Sequence, residues 1–372
     1  MKIEILLYVY LTVCAGMILF NIVSAVLSRI RDKRISKINK RFNKQILKEL
    51  EYLEQNGNIH NSHKKYLSKK LKRIGNKRSF DIMLESKYTE NPELVQQYLH
   101  SLNSVFVSLA IGYCKKEATE SAFFPYIIKK YRILQGRSFD SMMDMLYSLL
   151  TEPSIYCREN AMQAIYTTGD TECVLKALKI VDNPNRFYHT KLITDGLMNF
   201  DGSFSKLNTA LWEAFEEFSV QMQLALLNYF RFSSDDHHEK MLKLLTDKNR
   251  DDEIRFACIR YFGKYRFDEA YPYLLEYADF RNGTRWEYCA IASSALSTYP
   301  CQKTIECLKA NLYHQNWYIR FNSSQALEKM GLTYMDLIDI IEGNDRYASE
   351  ILRYRFDIRD MIDEERRAVT VC

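Results

Sequence analysis

The sequence contains few residues that interrupt helices or form tight turns. Only 12 glycines and 6 prolines are present among 372 residues, and they are widely scattered. A sheet-rich domain uses both residue types in its many turns, and long flexible linkers are rich in them. Their scarcity argues against a β-rich fold and against long linkers, and an apolar content of 47% indicates a folded chain.

The motifs that usually identify an enzyme or a metalloprotein are also missing from the sequence. There is no P-loop, no GxGxxG or GxSxG pattern, and no CxxC pair or HExxH helix. The two histidine groups, His60 with His63 and His237 with His238, provide too few ligands for zinc, which needs three or four. We therefore expect no cofactor, no metal site and no catalytic residue.

Nine cysteines are present, but their spacing matches no disulfide framework. Cys157, Cys258 and Cys289 fall on the apolar faces of predicted helices, where a thiol packs as a small apolar residue. Free buried thiols are typical of a reducing cytoplasm.

A repeated helical hairpin occupies about the last 220 residues. Similar apolar segments follow one another at steps of 33, 32, 32, 34 and 31 residues. The steps are counted from Cys157, Thr190, Met222, Ile254, Tyr288 and Ile319. After each segment come a turn and a second amphipathic helix, with apolar residues at helical spacing. One hairpin cannot bury its own apolar stripe, so the period predicts stacked hairpins that share a continuous core.

Two of these segments resemble a known family. Ile254-Arg255-Phe256-Ala257 and Trp317-Tyr318-Ile319-Arg320, each with a small or apolar residue six to seven positions later, are similar to HEAT repeats of the short-period bacterial type. The resemblance covers about residues 150–343 and implies an all-α, right-handed α-solenoid of stacked helical hairpins. It departs from the pattern where other residues replace the repeat arginine, at Lys191, Gln223 and Cys289. Tetratricopeptide repeats share the length, but their signature Trp, Gly, Tyr and Pro positions do not recur.

The repeat arginines Arg158, Arg255 and Arg320 occupy equivalent positions in their hairpins. We expect them to have a structural role and to form a ladder with neighbouring carboxylates, such as Asp252 or Glu253.

The first residues of the chain predict a membrane anchor. Residues 5–27 carry no charged side chain, and as a helix they would span about 34 Å, enough for a bilayer core of about 30 Å. Basic residues follow this stretch, so the positive-inside rule places the N-terminus outside the cell and the repeats in the cytoplasm. A cleaved signal peptide, with Val23-Ser24-Ala25 as its cleavage site, is the alternative.

Charge is distributed unevenly along the chain. Residues 28–78 contain 17 Lys and Arg against 4 Asp and Glu, whereas residues 79–372 carry a net charge of −8. Basic residues directly after a membrane helix bind anionic lipid headgroups, with about 1 kcal/mol for each residue near the surface. The predicted lipid contacts are Arg29, Arg31, Lys33, Arg34, Lys37, Lys40 and Arg41. The negative repeats oppose binding to phosphate backbones, so we expect no nucleic acid partner.

These patterns predict five segments and one function. The segments are a transmembrane helix at 1–27, a basic juxtamembrane helical segment at 28–78, degenerate helical repeats at 79–150, HEAT-like repeats at 151–343, and a C-terminal capping helix and tail at 344–372. We expect a single-pass, non-enzymatic scaffold at the cell membrane that binds a protein partner in the cytoplasm, as an accessory subunit of a membrane-embedded machine. Aromatic residues are frequent anchors of protein interfaces, and the candidates are Tyr271, Tyr273, Trp286, Trp317 and Tyr318.

Two other functions stay open. A HEAT-like protein that binds or processes nucleic acid at the membrane would need a basic inner face with a recessed carboxylate. A lipid-binding module would depend mainly on residues 28–78.

Overall fold

The structure is a computed structural model that describes residues 2–113, 122–135 and 140–357. Over these ranges the chain is all-α, as predicted, and no described residue lies in a strand. Most connections between helices are short turns, and several contain a single turn of 3₁₀ helix. The helices are α1 (Lys2–Asn56), α2 (Asn61–Lys70), α3 (Ile74–Glu90), α4 (Pro92–Ser101), α5 (Asn103–Tyr113), α6 (Phe123–Lys130), α7 (Asp140–Leu149), α8 (Ile155–Tyr166), α9 (Thr171–Val181), α10 (Thr190–Leu197), α11 (Phe204–Glu213), α12 (Val220–Ser233), α13 (His238–Thr246), α14 (Asp252–Phe262), α15 (Tyr271–Ala278), α16 (Trp286–Ala295), α17 (Gln302–Asn311), α18 (Trp317–Lys329), α19 (Ile338–Ile341) and α20, described over residues 346–357.

The chain divides into two compact units. The first comprises Met1–Tyr188 with Asn199–Leu207, and the second comprises His189–Met198 with Asn208–Cys372.

In the first unit, α1 runs without interruption for 55 residues, which corresponds to about 80 Å. Its segment Tyr10–Leu27 is long and apolar enough to cross a membrane, and none of that segment is buried. Near its C-terminal end the same helix buries Ile46, Leu50 and Leu53, and there it packs against α3 and α4. One helix therefore connects the exposed apolar segment directly to the packed core of the unit.

A buried carboxylate fixes the end of α1 to the next helix. Glu49 is 8% exposed and accepts a hydrogen bond of 2.5 Å from the backbone N–H of His60. The ring of His63 lies beside the same carboxylate and is hydrogen-bonded to the Tyr98 hydroxyl at 2.7 Å. Burial lowers the pKa of His63, and the charge of Glu49 partly opposes that shift.

The hairpin period of the sequence appears in the order of the helices. The first helices of successive hairpins are α8, α10, α12, α14, α16 and α18, and they begin 35, 30, 32, 34 and 31 residues apart. In the second unit, each of α12, α14 and α16 packs against the first helix of the following hairpin. Adjacent aromatic residues on these helices are fully buried, namely Tyr229, Phe230, Tyr261 and Phe262. Each such side chain contributes about 1.5–3 kcal/mol through apolar burial.

Glycines and helix caps define several of the turns. Gly169 and Gly331 adopt φ of +71° and +88°, values that favour glycine. Directly after Gly169, the carboxylate of Asp170 accepts hydrogen bonds from the first N–H groups of α9. Asp251 and Asn316 cap α14 and α18 in the same way.

The repeat arginines donate mainly to backbone carbonyls, and only one of them pairs with an expected carboxylate. A guanidinium group has several donors and can bind more than one acceptor. Arg158 binds the carbonyl of Phe187, Arg255 that of Leu245, and Arg320 those of His314 and Gln315. Of the expected carboxylates, only Asp252 lies near an arginine of this set, 3.8 Å from Arg255. Among the described residues, the predicted pairing with a carboxylate is therefore confirmed for Arg255 and not found for Arg158 or Arg320.

The predicted C-terminal cap is described only in part. On α20, Ile351, Leu352 and Phe356 are buried, as expected for a helix that packs against the preceding repeats. Residues 358–372, which complete the predicted segment, lie outside the described part of the chain.

Candidate interaction surface

The predicted lipid contacts lie on α1 directly after its apolar segment. The side chains of Arg29, Lys33, Arg34 and Lys40 are exposed. Those of the other three candidates, Arg31, Lys37 and Arg41, lie outside the described side chains. The described members of the set are thus open to solvent.

Three of the five predicted partner contacts form one exposed aromatic cluster. The ring of Trp286 stacks on that of Tyr318, with centroids 5.7 Å apart, and Trp317 meets Tyr318 edge to face at 5.2 Å. The exposed fractions are 44% for Trp286, 49% for Trp317 and 56% for Tyr318. Both tryptophan rings therefore contact Tyr318, while about half of each of the three side chains faces solvent. We call Trp286, Trp317 and Tyr318 the aromatic cluster.

Local structure explains why these rings meet. Trp286 is the first residue of α16, and Trp317 and Tyr318 begin α18. The two helices pack against each other, and the side-chain amide of Asn322 donates a hydrogen bond of 2.7 Å to the Ala290 carbonyl. Equivalent ends of neighbouring helices are therefore held side by side.

Charged residues and a further aromatic ring surround the cluster. Arg285, directly before Trp286, forms ion pairs with Asp252 and Glu287. Below the cluster, Trp317 stacks on Phe321 at 4.8 Å. An interface built here would combine aromatic anchors with a charged border.

Tyr271 has a different environment from the cluster. Its ring stacks on Tyr299 at 5.7 Å, and its hydroxyl is hydrogen-bonded to Cys301 and Thr304. Partial burial raises the pKa of Tyr271. Although partial burial opposes the shift, hydrogen bonds from Thr304 and its neighbours lower the pKa of the Cys301 thiol to about 7. The last candidate, Tyr273, is 38% exposed on α15.

Phe321 supports the cluster but was not predicted to do so. It lies four residues after Trp317 on the same helix, which places both rings on one face. That spacing is visible in the sequence, but the sequence does not show that Trp317 is part of an exposed cluster.

No group of three or more His, Cys, Asp or Glu side chains suited to hold a metal ion occurs among the described residues.

Comparison of the sequence with models of known protein families and with curated proteins gave no match.

Proposed function

We propose that this protein is a non-enzymatic scaffold, anchored in the cell membrane by the apolar part of α1. In this proposal the helical hairpins form a right-handed, HEAT-like solenoid in the cytoplasm. The aromatic cluster binds a protein partner there, which fits an accessory subunit of a membrane-embedded machine.

The observation that carries the proposal is the exposed stacking of Trp286, Trp317 and Tyr318. Large aromatic residues dominate the binding energy of many protein interfaces because they bury much area and lose little conformational entropy. A monomer gains little from leaving three such rings half exposed. Contact with a partner would remove that area from water.

The anchor is supported by the lack of burial along Tyr10–Leu27. A core helix of a soluble protein would hide such side chains, whereas here the large apolar residues are exposed, among them Leu19 at 64% and Phe20 at 72%. The basic residues after the segment favour an orientation with the repeats in the cytoplasm.

Site-specific photo-cross-linking in cells tests the partner contact. A photoreactive phenylalanine analogue replaces Tyr318 in the full chain, and the same analogue replaces Tyr354 as a matched control, because Tyr354 is 55% exposed on α20. We expect one cross-linked protein from position 318 and not from position 354. The same adduct from both positions, or nucleic acid in place of protein, would contradict the proposal.

Labelling of the exposed Cys301 tests the orientation independently. A membrane-impermeant maleimide should label this thiol only after the cells are permeabilised, and Cys301→Ser gives the background. Labelling in intact cells would place the repeats outside. Recovery of the protein in the soluble fraction would exclude the anchor.

A further inference from the structure

The second unit contains a pocket of about 600 Å³ that is separate from the aromatic cluster. It lies among α12, α14, α16 and α18, near the C-terminal ends of these helices. Glycine at position 263 allows the end of α14 to approach α16 closely on one side of the pocket, because a Cβ atom there would lie 2.9 Å from the Cα of Ala295. The hydroxyl of Thr298 donates a hydrogen bond of 2.7 Å to the Gly263 carbonyl and fixes this close approach.

Four cationic side chains line the pocket, and they come from three of four successive hairpins. They are Arg231, Arg260, Lys264 and Lys329. None of the described residues that line it is acidic. This is unexpected in a chain whose residues 79–372 carry a net charge of −8.

These cations have few partners within the protein. The Nε of Arg231 is buried and has no hydrogen-bond partner among the described residues. Lys264 donates a hydrogen bond of 2.8 Å to the carbonyl of Arg231 and lies over the rings of Phe232 and Tyr265, and no carboxylate among the described residues forms an ion pair with it. Burial lowers the pKa of Arg231, and the nearby charge of Arg260 lowers it further. Desolvation also lowers the pKa of Arg260, although Glu253 partly opposes that shift.

Helix dipoles explain only part of this arrangement. A cation near a helix C-terminus is stabilised by the dipole of that helix, which accounts for one basic residue on each of α12, α14 and α18. It does not account for their convergence on one pocket, where the guanidinium groups of Arg231 and Arg260 repel each other. An anion that binds between the two guanidinium groups would offset this electrostatic repulsion.

We propose that this pocket binds a small ligand that carries clustered phosphate groups. Guanidinium groups form paired hydrogen bonds with phosphate oxygens, and four positive charges match a di- or triphosphate better than a single carboxylate. Asn322 and Ser294 add hydrogen-bonding groups, and Phe232 adds an apolar surface. The volume is within the range of small-molecule sites. This site goes beyond the proposed scaffold function, and only the lipid headgroup as a source of the phosphates rests on the proposed membrane anchor.

Clustered phosphates have two sources in a membrane-anchored protein. One is a soluble phosphate ester, and the other is the headgroup of a multiply phosphorylated lipid. A long nucleic acid is a weaker match, because the negative charge of the surrounding repeats repels an extended phosphate backbone.

Calorimetry on the full chain in nanodiscs tests the proposal. The first arm titrates inorganic tripolyphosphate into protein held in phosphatidylcholine nanodiscs. The second arm repeats the titration in nanodiscs that also contain phosphatidylinositol bisphosphate. If the affinity for tripolyphosphate is the same in both arms, the natural ligand is a soluble phosphate ester. If the phosphorylated lipid strongly weakens tripolyphosphate binding, the natural ligand is a lipid headgroup.

The double variant Arg231→Gln with Arg260→Gln should bind tripolyphosphate about 100-fold more weakly, because two charged hydrogen-bonding groups are lost. The matched control, Arg281→Gln with Arg346→Gln, removes two exposed arginines that pair with Asp279 and Glu350, and should bind normally. Arg260→Gln alone should melt no lower than the wild type, because it relieves repulsion, so its weakened binding would not reflect unfolding. Absence of binding, equal weakening in the control, or tighter binding of an oligonucleotide or an acidic peptide would overturn the proposal.

Discussion

Trp286 stacks on Tyr318 although 32 residues separate them in the sequence, which is one hairpin period. The contact exists because α16 and α18 are first helices of successive hairpins and pack against each other. Residues that lie one repeat apart in the sequence are thus neighbours on one surface of the protein. The position of the pair at the helix starts leaves both rings partly exposed.

Trp286→Ala should weaken partner capture while the fold persists. Aromatic pairs contribute about 0.5–1.5 kcal/mol beyond burial, so we expect the free energy of unfolding to fall by about 1 kcal/mol. The matched core variant Phe262→Ala should cost about 3–5 kcal/mol, because that ring is fully buried. Chemical denaturation measures both changes, and photo-cross-linking from position 318 measures capture. If the two variants were equally destabilised, Trp286 would be a core residue and not an interface residue.

Arg320 contributes to stability through the loop before α18. It is 9% exposed and donates hydrogen bonds to the carbonyls of His314 and Gln315, at 2.7 and 2.9 Å. Arg320→Met leaves both carbonyls without this donor, so we expect a loss of about 2–4 kcal/mol in the free energy of unfolding. Urea denaturation measures it.

The matched control for that experiment is Arg346→Met. Arg346 is exposed and forms a surface ion pair with Glu350, so its loss should cost at most about 0.5 kcal/mol. Similar losses in the two variants would mean that the carbonyl contacts of Arg320 contribute little.

Gly263→Ala should destabilise the packing of α14 against α16. The new methyl group would lie 2.9 Å from both the Cα and the Cβ of Ala295, so the helices must separate, at a cost of about 1–3 kcal/mol. Gly75→Ala is the control, because no atom lies within 4 Å of its added Cβ. It should be neutral or stabilising by up to about 1 kcal/mol. Thermal unfolding distinguishes them, and an unchanged melting temperature for Gly263→Ala would show that the helices can adjust.

The hairpin pattern allowed the helices and their buried faces to be predicted. Tyr229 and Phe230, or Tyr261 and Phe262, are core residues because apolar side chains at helical spacing must face the neighbouring helix. The positive φ of Gly169 and Gly331 fits their positions in turns between two apolar helices.

Two features depend on tertiary contacts and could not be predicted from the sequence pattern. The acceptors of Arg320 are loop carbonyls, which carry no side-chain signal in the sequence. The convergence of Arg231, Arg260 and Lys329 depends on the spacing between three helices. The net charge gave no indication of this pocket, because a negative net charge over residues 79–372 is compatible with a local cluster of basic residues.

His237 is buried in a position where its neutral form is favoured. It is 7% exposed, its Nδ1 accepts a hydrogen bond of 3.1 Å from the indole N–H of Trp212, and Phe230 packs against its ring at 4.7 Å. Burial, with a smaller contribution from Lys240, lowers the pKa of His237 to about 4, although Asp235 and Asp236 act in the opposite direction. Protonation would remove the acceptor for the indole N–H and leave a charge in an apolar site.

The stability of the protein should therefore decrease as the pH falls below about 6.5, the usual pKa of histidine in an unfolded chain. Below that pH the unfolded state binds a proton that the folded state takes up only near its own lower pKa, so unfolding becomes more favourable. Between about pH 7 and about pH 5 we expect His237 to account for a loss of about 1–2 kcal/mol. His237→Gln keeps an acceptor for Trp212 and removes the titrating group, so its stability should depend less on pH than that of the wild type. Urea denaturation at several pH values measures the difference, and parallel pH profiles for the two proteins would show that His237 does not titrate in this range.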